Sequence, residues 1–340
     1  MADRIHLAAN NADLGGGEQM LIRAAAALLD LGHDVAVVAP DSPTEVLDAA
    51  AGVGAVPVAI RADNRQHYLR RLRSWDRSHR SGLLWCHGLV PSLATAGHRR
   101  RIVHLHQLPR SRAQMGALVA ARAGSDRLLV PSRFLARRLG GAQPFANWTD
   151  DLRRRSDRAH GGRVGFLGRL STIKGLDVLA DALTQRGLED VGLVVAGDAR
   201  WVPDAEGQPV REALAALGER VSLLGRVDSP DAFFDQVDLA VFPSRIAESF
   251  GLVVAEAMAA GVPFVVTDAG ALPEVAGPTH PWVARSGDPH DLAREVRDAL
   301  SAGPERLRTV TDVARKRWED EYSPAAGRER VRRLLDEVGA

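Results

Sequence analysis

The chain is predicted to be an α/β protein built from two consecutive doubly wound halves, each a parallel sheet covered by helices. Three observations carry that prediction. Short apolar runs of strand length alternate with segments of helical spacing along the whole chain. The alternation breaks at a polar, charged, glycine-terminated stretch at 144–162 and then restarts. Each half also opens with a strand followed by a glycine-rich turn, the place where open α/β sheets receive ligands.

In order, residues 4–9 (RIHLAA) form a short buried strand, 10–17 a polar glycine loop, and 18–31 a helix that Gly32 stops. Asp34-Val-Ala-Val-Val-Ala is the next strand, and further strand-like runs fall at 55–60, 82–86, 101–106 and 126–130. After the linker, strands are expected at 163–167, 191–196, 221–224, 238–242 and 263–266. Strands alternating with helices imply right-handed crossovers. Two such halves would face each other across a ligand cleft. The last stretch, about 304–338, is helical in pattern and rich in Arg and Glu.

At 340 residues the chain is long enough for two substantial cores. Its 45% apolar and 26% charged content is that of a globular protein. No run of about 18 apolar residues and no apolar leader is present, so a cytoplasmic protein, soluble or peripheral, is expected. The single cysteine, Cys86, rules out an intramolecular disulfide and a cysteine-based zinc site. The net charge of +1 hides an asymmetry, because residues 1–150 hold 19 Arg against 12 acidic residues. That basic half suits an anionic acceptor or peripheral membrane contact, with solvated surface arginine as the plainer explanation. No nucleic-acid partner is expected. Lysine is almost absent, only Lys174 and Lys316 occurring among 44 basic residues, so a lysine in a glycine-rich turn stands out.

The richest segment runs Ser244-Arg-Ile-Ala-Glu248-Ser249-Phe250-Gly251-Leu252 into Glu256 and on to Gly261-Val-Pro263. A helix start presents free N–H groups and a positive dipole end, a natural seat for phosphate. On one straight helix, Glu248 and Glu256 would stand about 12 Å apart and turned by about 80°. That is too far for a retaining hydrolase pair, which needs about 5–5.5 Å, and poor for a shared metal. Glu248 is therefore placed in the loop before the helix and Glu256 inside it, touching different parts of one ligand. Arg169 and Lys174, in Gly165-Phe-Leu-Gly168-Arg169-x4-Lys174-Gly175, suit a diphosphate, or are ordinary surface cations. The spacing is not that of a Walker A loop.

In the first half, Gly15-Gly16-Gly17-Glu18 lets backbone approach a ligand closely, but it fails the dinucleotide pattern at Met20. His104 and His106, two residues apart at a strand end, share a face. With no further ligands clustered nearby, no metal site is expected of them, and His106 suits a hydrogen bond to substrate. His87, after Leu-Leu-Trp-Cys, is placed similarly. No Asp-x-Asp loop is present to hold a divalent metal on a diphosphate, and nothing resembles a Ser/His/Asp elbow.

Together these blocks resemble the retaining GT-B glycosyltransferases of family 4 over nearly the whole chain. The ordered set is Gly15-Gly16-Gly17-Glu18, Cys86-His87-Gly88, His104-x-His106, Val130-Pro-Ser132, Gly168-Arg169-x4-Lys174-Gly175, Val195-Ala-Gly197-Asp198, Gly225-Arg226-Val227, Phe242-Pro-Ser244, Glu248-x7-Glu256 and Gly270-Ala-Leu-Pro-Glu274. Asn147-Trp-Thr-Asp150 departs from the family's frequent Asn-Gly-x-Asp. The resemblance implies an N-terminal acceptor domain (1–148), a C-terminal nucleotide-sugar domain (149–317) and a helix (318–340) crossing back to the first. It implies a UDP- or GDP-sugar donor, a small-molecule, glycan or lipid-linked acceptor, and no cofactor or metal. Arg169 and Lys174 would grip the diphosphate with the amides of Phe250, Gly251 and Leu252 beside Ser249. Glu256 would take the ribose, Glu248 the transferred sugar, and Arg226 with Val227 the base. Gly16 and Gly17 would lie near the phosphates, and His106 near the sugar. Glu18, His87 and His106 would face the acceptor. The competing possibilities are a GT-B sugar-nucleotide epimerase or phosphorylase, and a non-catalytic sugar-nucleotide binder.

Overall fold

The structure, a computed structural model, describes residues 4–154, 162–200, 202–227 and 229–339; part of the expected linker, 155–161, lies outside them. The chain divides into two compact units, Met1–Trp148 with Pro324–Ala340, and Thr149–Ser323.

The first unit holds a seven-stranded sheet. Its strands are β1 (Ile5–Ala8), β2 (Val35–Pro40), β3 (Val56–Ile60), β4 (Leu84–His87), β5 (Arg101–His104), β6 (Arg127–Val130) and β7 (Gln143–Pro144). Their spatial order is β3-β2-β1-β4-β5-β6-β7, and every described pair is parallel. β1, β4 and β5 are buried along their whole length, which explains their mostly apolar sequences, His6, His87, Arg101 and His104 being buried among them. The second unit repeats the plan with β8 (Val164–Leu167), β9 (Leu193–Ala196), β10 (Val221–Gly225), β11 (Leu239–Phe242), β12 (Phe264–Thr267) and β13 (Val283–Ala284), in the order β10-β9-β8-β11-β12-β13. In each sheet the strand order reverses beside the first strand, between β1 and β4 and between β8 and β11. Loops leaving those strands open onto a crevice where ligands bind in this architecture.

The C-terminal stretch is two helices, Pro304–Glu321 and Pro324–Val338, rather than one. The segment belonging to the first unit starts at Pro324, not at 318, because the preceding turn is tied to the second unit. Trp318, 2% exposed, donates from Nε1 to Thr149 Oγ1 at 2.8 Å, and Tyr322 packs edge-on against Phe250 at 5.4 Å. Beyond the break, Gly327 sits flat on the Trp148 indole, where a Cβ would come within 2.3 Å of the ring. Arg330 Nη1 donates to Ala146 O at 2.9 Å, and Arg328 pairs with Asp30 at 3.0 Å.

Candidate functional site

In the second unit, three loops from neighbouring strand ends are stitched together by backbone contacts. Gly175 has φ +73°, and a Cβ on it would lie 1.9 Å from Pro243 O, so only glycine lets the β8 loop touch the β11 loop. Gly197 stands in the same relation to Gly168 O, again at 1.9 Å. Leu170 N donates to Asp198 O at 3.0 Å and Arg245 N to Ile173 O at 3.0 Å, closing the ring of loops.

This framework brings Lys174 and Glu248 together across 74 residues of sequence. Lys174 Nζ and Ser244 Oγ both donate to Glu248 Oε1, each at 2.6 Å. Oε2 has no hydrogen-bond partner among the described residues and keeps its acceptor capacity. Burial works against the ionised carboxylate, but the charge and hydrogen bond of Lys174, the Ser244 hydroxyl and the nearby Arg169 carry the net pKa downward. Glu248 lies in the loop before the helix, as its spacing from Glu256 required, and is held by a parallel bridge to Gly270. Its N accepts no latitude: it donates to Ala269 O at 3.3 Å while its own O accepts from Ala271 N at 3.0 Å.

The helix that follows spans Leu252–Ala260, with Gly251 as N-cap at φ +103°. Its first-turn amides, Leu252 and Val253, precede any intrahelical acceptor. Ser249 and Phe250 form the approach to it, Phe250 being 3% exposed. Glu256 lies in the helix interior at 9% exposure. Arg169 is exposed and makes no ion pair among the described residues. Arg226, also exposed, follows β10 with Val227, and its charge helps lower the pKa of Asp198, which Arg200 binds at 2.8 Å.

In the first unit the glycine loop after β1 is held by side chains. Asn11 donates from N and Nδ2 to Glu18 Oε1 at 3.1 and 3.0 Å, and Asn10 Oδ1 accepts from Val90 N at 3.0 Å. Glu18 is 5% exposed, and burial raises its pKa. The helix begins at Gly16, two residues before the expected Glu18, so Gly16 and Gly17 belong to its first turn. A Cβ on Gly17 would meet His106 Cδ2 at 3.0 Å, which places the glycine loop directly against that ring.

The histidines depart from expectation. His104 and His106 do share a face, with ring centroids 4.3 Å apart, but His87 joins them. The register pairs His87 with His104 across β4 and β5, and the ring nitrogens of all three lie within 4.8 Å of one another. His87 and His104 are 2% and 1% exposed. Burial lowers all three pKa values, His106 to about 4, so at neutral pH each is an uncharged imidazole. Two further residues escaped sequence reasoning, Ser244 and Asn11, which act on Glu248 and Glu18. Their hydroxyl and amide carry no signal until the loops are folded together.

The sequence profile for "Glycosyltransferase Family 4" matches residues 14–148, and that for "Glycosyl transferases group 1" matches residues 161–302. A D-inositol 3-phosphate glycosyltransferase of Segniliparus rotundus is 34% identical over 46% of this chain and 37% of its own length. A phosphatidyl-myo-inositol mannosyltransferase of Mycobacterium leprae is 33% identical over 65% of this chain and 52% of its own. The chain thus spans about half, or less, of the length of these curated relatives. Among solved structures, Anabaena Alr3699/HepE with UDP and glucose superposes with a TM-score of 0.85 at 20% identity, covering 98% of this chain and 99% of that one. Sucrose-phosphate synthase of Thermosynechococcus elongatus follows at 0.82 and 17%, over 99% of both chains. The two profiles, one on each half of the chain, define the class as glycosyltransferases, and the solved structures show that the fold is GT-B. Within that class, the chain belongs to glycosyltransferase family 4, group 1.

Proposed function

We propose that this protein transfers a sugar from a nucleoside-diphosphate sugar to an acceptor hydroxyl, with retention at the anomeric carbon and without a metal ion on the diphosphate. The observation that carries the proposal is the convergence of Lys174, Ser244 and Glu248 beside the N-terminus of the helix Leu252–Ala260. Lys174, Arg169 and the amides of Phe250, Gly251 and Leu252 receive the diphosphate. As the glycosidic bond lengthens, charge grows on the leaving oxygen, and fixed cations and a helix dipole stabilise it without reorganising. Glu248, held ionised and with Oε2 available, accepts from hydroxyls of the transferred sugar. Glu256 takes the ribose, while Arg226 and Val227 flank the base.

Gly16, Gly17, Glu18 and His106 serve the acceptor side and the transferred sugar. An uncharged His106 offers a hydrogen bond rather than a positive charge. The neighbour crystallised with UDP and glucose supports a UDP-sugar donor, with GDP-sugars as the alternative. Relatives named for inositol phosphate and phosphatidylinositol acceptors support an anionic polyol acceptor, free or lipid-linked, which the basic first half also suits. No described helix is long and apolar enough to cross a membrane, so a lipid-linked acceptor would be met by peripheral contact.

A thermal-shift panel of UDP-, GDP-, ADP- and dTDP-sugars tests this directly, because a ligand bound only by the folded state raises Tm by mass action. One donor should stabilise the protein, and Lys174→Ala and Glu256→Ala should each abolish its shift. Undiminished binding in both variants would overturn the assignment.

A further inference from the structure

The arginine excess of the first half is concentrated in one layer of its fold. Residues 61–125 hold 13 of the 19 arginines in 1–150 but only two of the 12 acidic residues, Asp63 and Asp76. Asp76 is buried and paired with Arg80 and His98, so Asp63 is the one carboxylate that this stretch shows to solvent. The connections β3 to β4, β4 to β5 and β5 to β6 run one way along the sheet, opposite to β1 to β2 and β2 to β3. Right-handed crossovers therefore place the helices Arg65–Ser78, Leu89–Ala94 and Arg112–Ala121 together on one face. Leu89–Ala94 packs against both of the others, while Gly16–Asp30 and Pro324–Val338 pack together on the other face.

Much of this charge plays no part in the fold. Arg80 and Arg101 hold backbone carbonyls. The side chains of Arg61, Arg65, Arg70, Arg77, Arg99 and Arg112 are exposed and make no hydrogen bond or ion pair among the described residues. Arg70 and Arg77 stand seven residues apart, two turns along one exposed stripe of their helix. The helix Arg112–Ala121 adds apolar surface to the charge. It buries Leu118 and Ala121, while Arg112, Met115 and Val119 follow at i, i+3 and i+7 on its exposed side. Met115 is 43% and Val119 69% exposed, two of the six large apolar side chains left so among the described residues. A soluble polyanion would use the arginines and gain nothing from Val119. A bilayer containing anionic lipid uses both, its phosphates meeting guanidinium groups while apolar side chains enter between the headgroups.

We propose that this face is a docking surface for an anionic lipid bilayer: Arg70, Arg77 and Arg112 meet lipid phosphates, and Met115 and Val119 insert at headgroup level. The surface gives the peripheral contact of the proposed function its location, and rests on that reading only for what docking serves. Binding to the bilayer needs neither donor nor turnover.

Flotation of the full chain, without donor, on vesicles of phosphatidylcholine alone or with an equal part of phosphatidylglycerol tests it. The protein should float with the anionic vesicles only, and added salt should release it. Arg70→Gln with Arg77→Gln should lower the partition coefficient about 25-fold, about fivefold for each arginine. Met115→Ser with Val119→Ser should lower it about tenfold and leave the salt dependence unchanged. All four side chains are exposed, and thermal melts check that the variants fold. Failure of the unaltered chain to float with anionic vesicles at low salt would overturn the proposal whatever the variants do. So would flotation indifferent to both pairs of substitutions. Flotation lost with the arginine pair but untouched by the serine pair, alongside tight binding of an oligouridylate, would make the face a site for soluble polyanions and overturn the bilayer. Vesicle binding as stated, with no sugar transfer, would sink the transferase assignment alone.

Discussion

Lys174 pairs with Glu248 in the free protein and, in the proposed function, receives the donor diphosphate, two jobs that substitutions can separate. Two unit charges about 4 Å apart attract by about 4 kcal/mol at an effective dielectric near 20. The side chains keep 27% and 17% of their exposure, so solvent screens part of that attraction and holding the lysine in place costs rotamer entropy. Replacing Lys174 with Met should therefore destabilise the protein by about 2 kcal/mol, mostly by leaving Glu248 with the Ser244 hydroxyl alone. Adding Glu248→Gln should recover about half of that loss, because no uncompensated charge remains. Donor binding should not recover. Charge-assisted bonds to phosphate are worth about 1.5–3 kcal/mol, so both variants should bind UDP roughly ten- to a hundredfold more weakly than wild type. If Glu248 holds the sugar as proposed, Glu248→Gln alone should leave UDP affinity unchanged and weaken UDP-glucose. Urea titrations and calorimetry with the two ligands separate these effects. If Lys174→Met weakened UDP-glucose but not UDP, the lysine would act only through Glu248, and its diphosphate role would be refuted.

Three further outcomes follow from the packing. Because His106 titrates at about 4 when folded against the ordinary 6.5, the unfolded chain takes up the proton first. Stability should fall as pH drops from about 6.5 toward 4, and His106→Asn should flatten that slope by about one proton, read by urea midpoints across pH. Arg101 is fully buried and donates to the carbonyls of His98, Ser92, Ala121 and Ala123 and to Thr95 Oγ1. Arg101→Met strands these acceptors and should cost about 3–5 kcal/mol in denaturant unfolding, with the second unit's nucleotide binding intact wherever the protein folds. Gly175→Ala should abolish the thermal shift with donor, since its Cβ forces the β8 and β11 loops apart at Lys174; an unchanged shift would mean the loops are not the donor seat.

Eleven strands are legible because each carries a short, mostly apolar run between turn or helical segments, although β3 and β10 are largely exposed. β7 and β13 are not, since two residues carry no period. The first helix begins two residues earlier than its pattern predicts, because Gly16 and Gly17 are poor helix formers; Gly17 lies against the His106 ring. The break at Ser323 was missed for a different reason. Arg and Glu continue at helical spacing on both sides of it and mask the one local signal, Pro324, which ends the first helix and opens the second. His87 was a lone histidine in sequence. Its partnership with His104 requires β4 and β5 to be neighbours in register, a fact of topology that no local pattern carries.

The two units also differ in how much of their sites a sequence can announce. Around Lys174 and Glu248 three close approaches are glycine to backbone, Gly175 on Pro243 O, Gly197 on Gly168 O, and Gly270 on the Glu248 amide and carbonyl at 2.4 and 2.5 Å, while Gly251 meets the Leu272 side chain at 2.5 Å. A backbone atom cannot move aside for a Cβ, so each of those positions admits one residue type, and the motif becomes readable as a spaced set of glycines. Around His106 the approaches are glycine to side chain, Gly88 on Asn10 and Gly17 on the His106 ring. At Gly17, whose φ is not positive, a Cβ can be met by changing the neighbour as well as the glycine, whereas Gly88, at φ +113°, is fixed by its own backbone; Glu18 is held by Asn11 through bonds that other polar pairs could make. The loop framework around Lys174 and Glu248 is thus fixed largely by backbone sterics, and the one around His106 more by side chains that can be exchanged. On this account Gly175, Gly197 and Gly270 should each tolerate almost no substitution, while paired changes at positions 17 and 106 should preserve the fold, as urea titration of the variants would read.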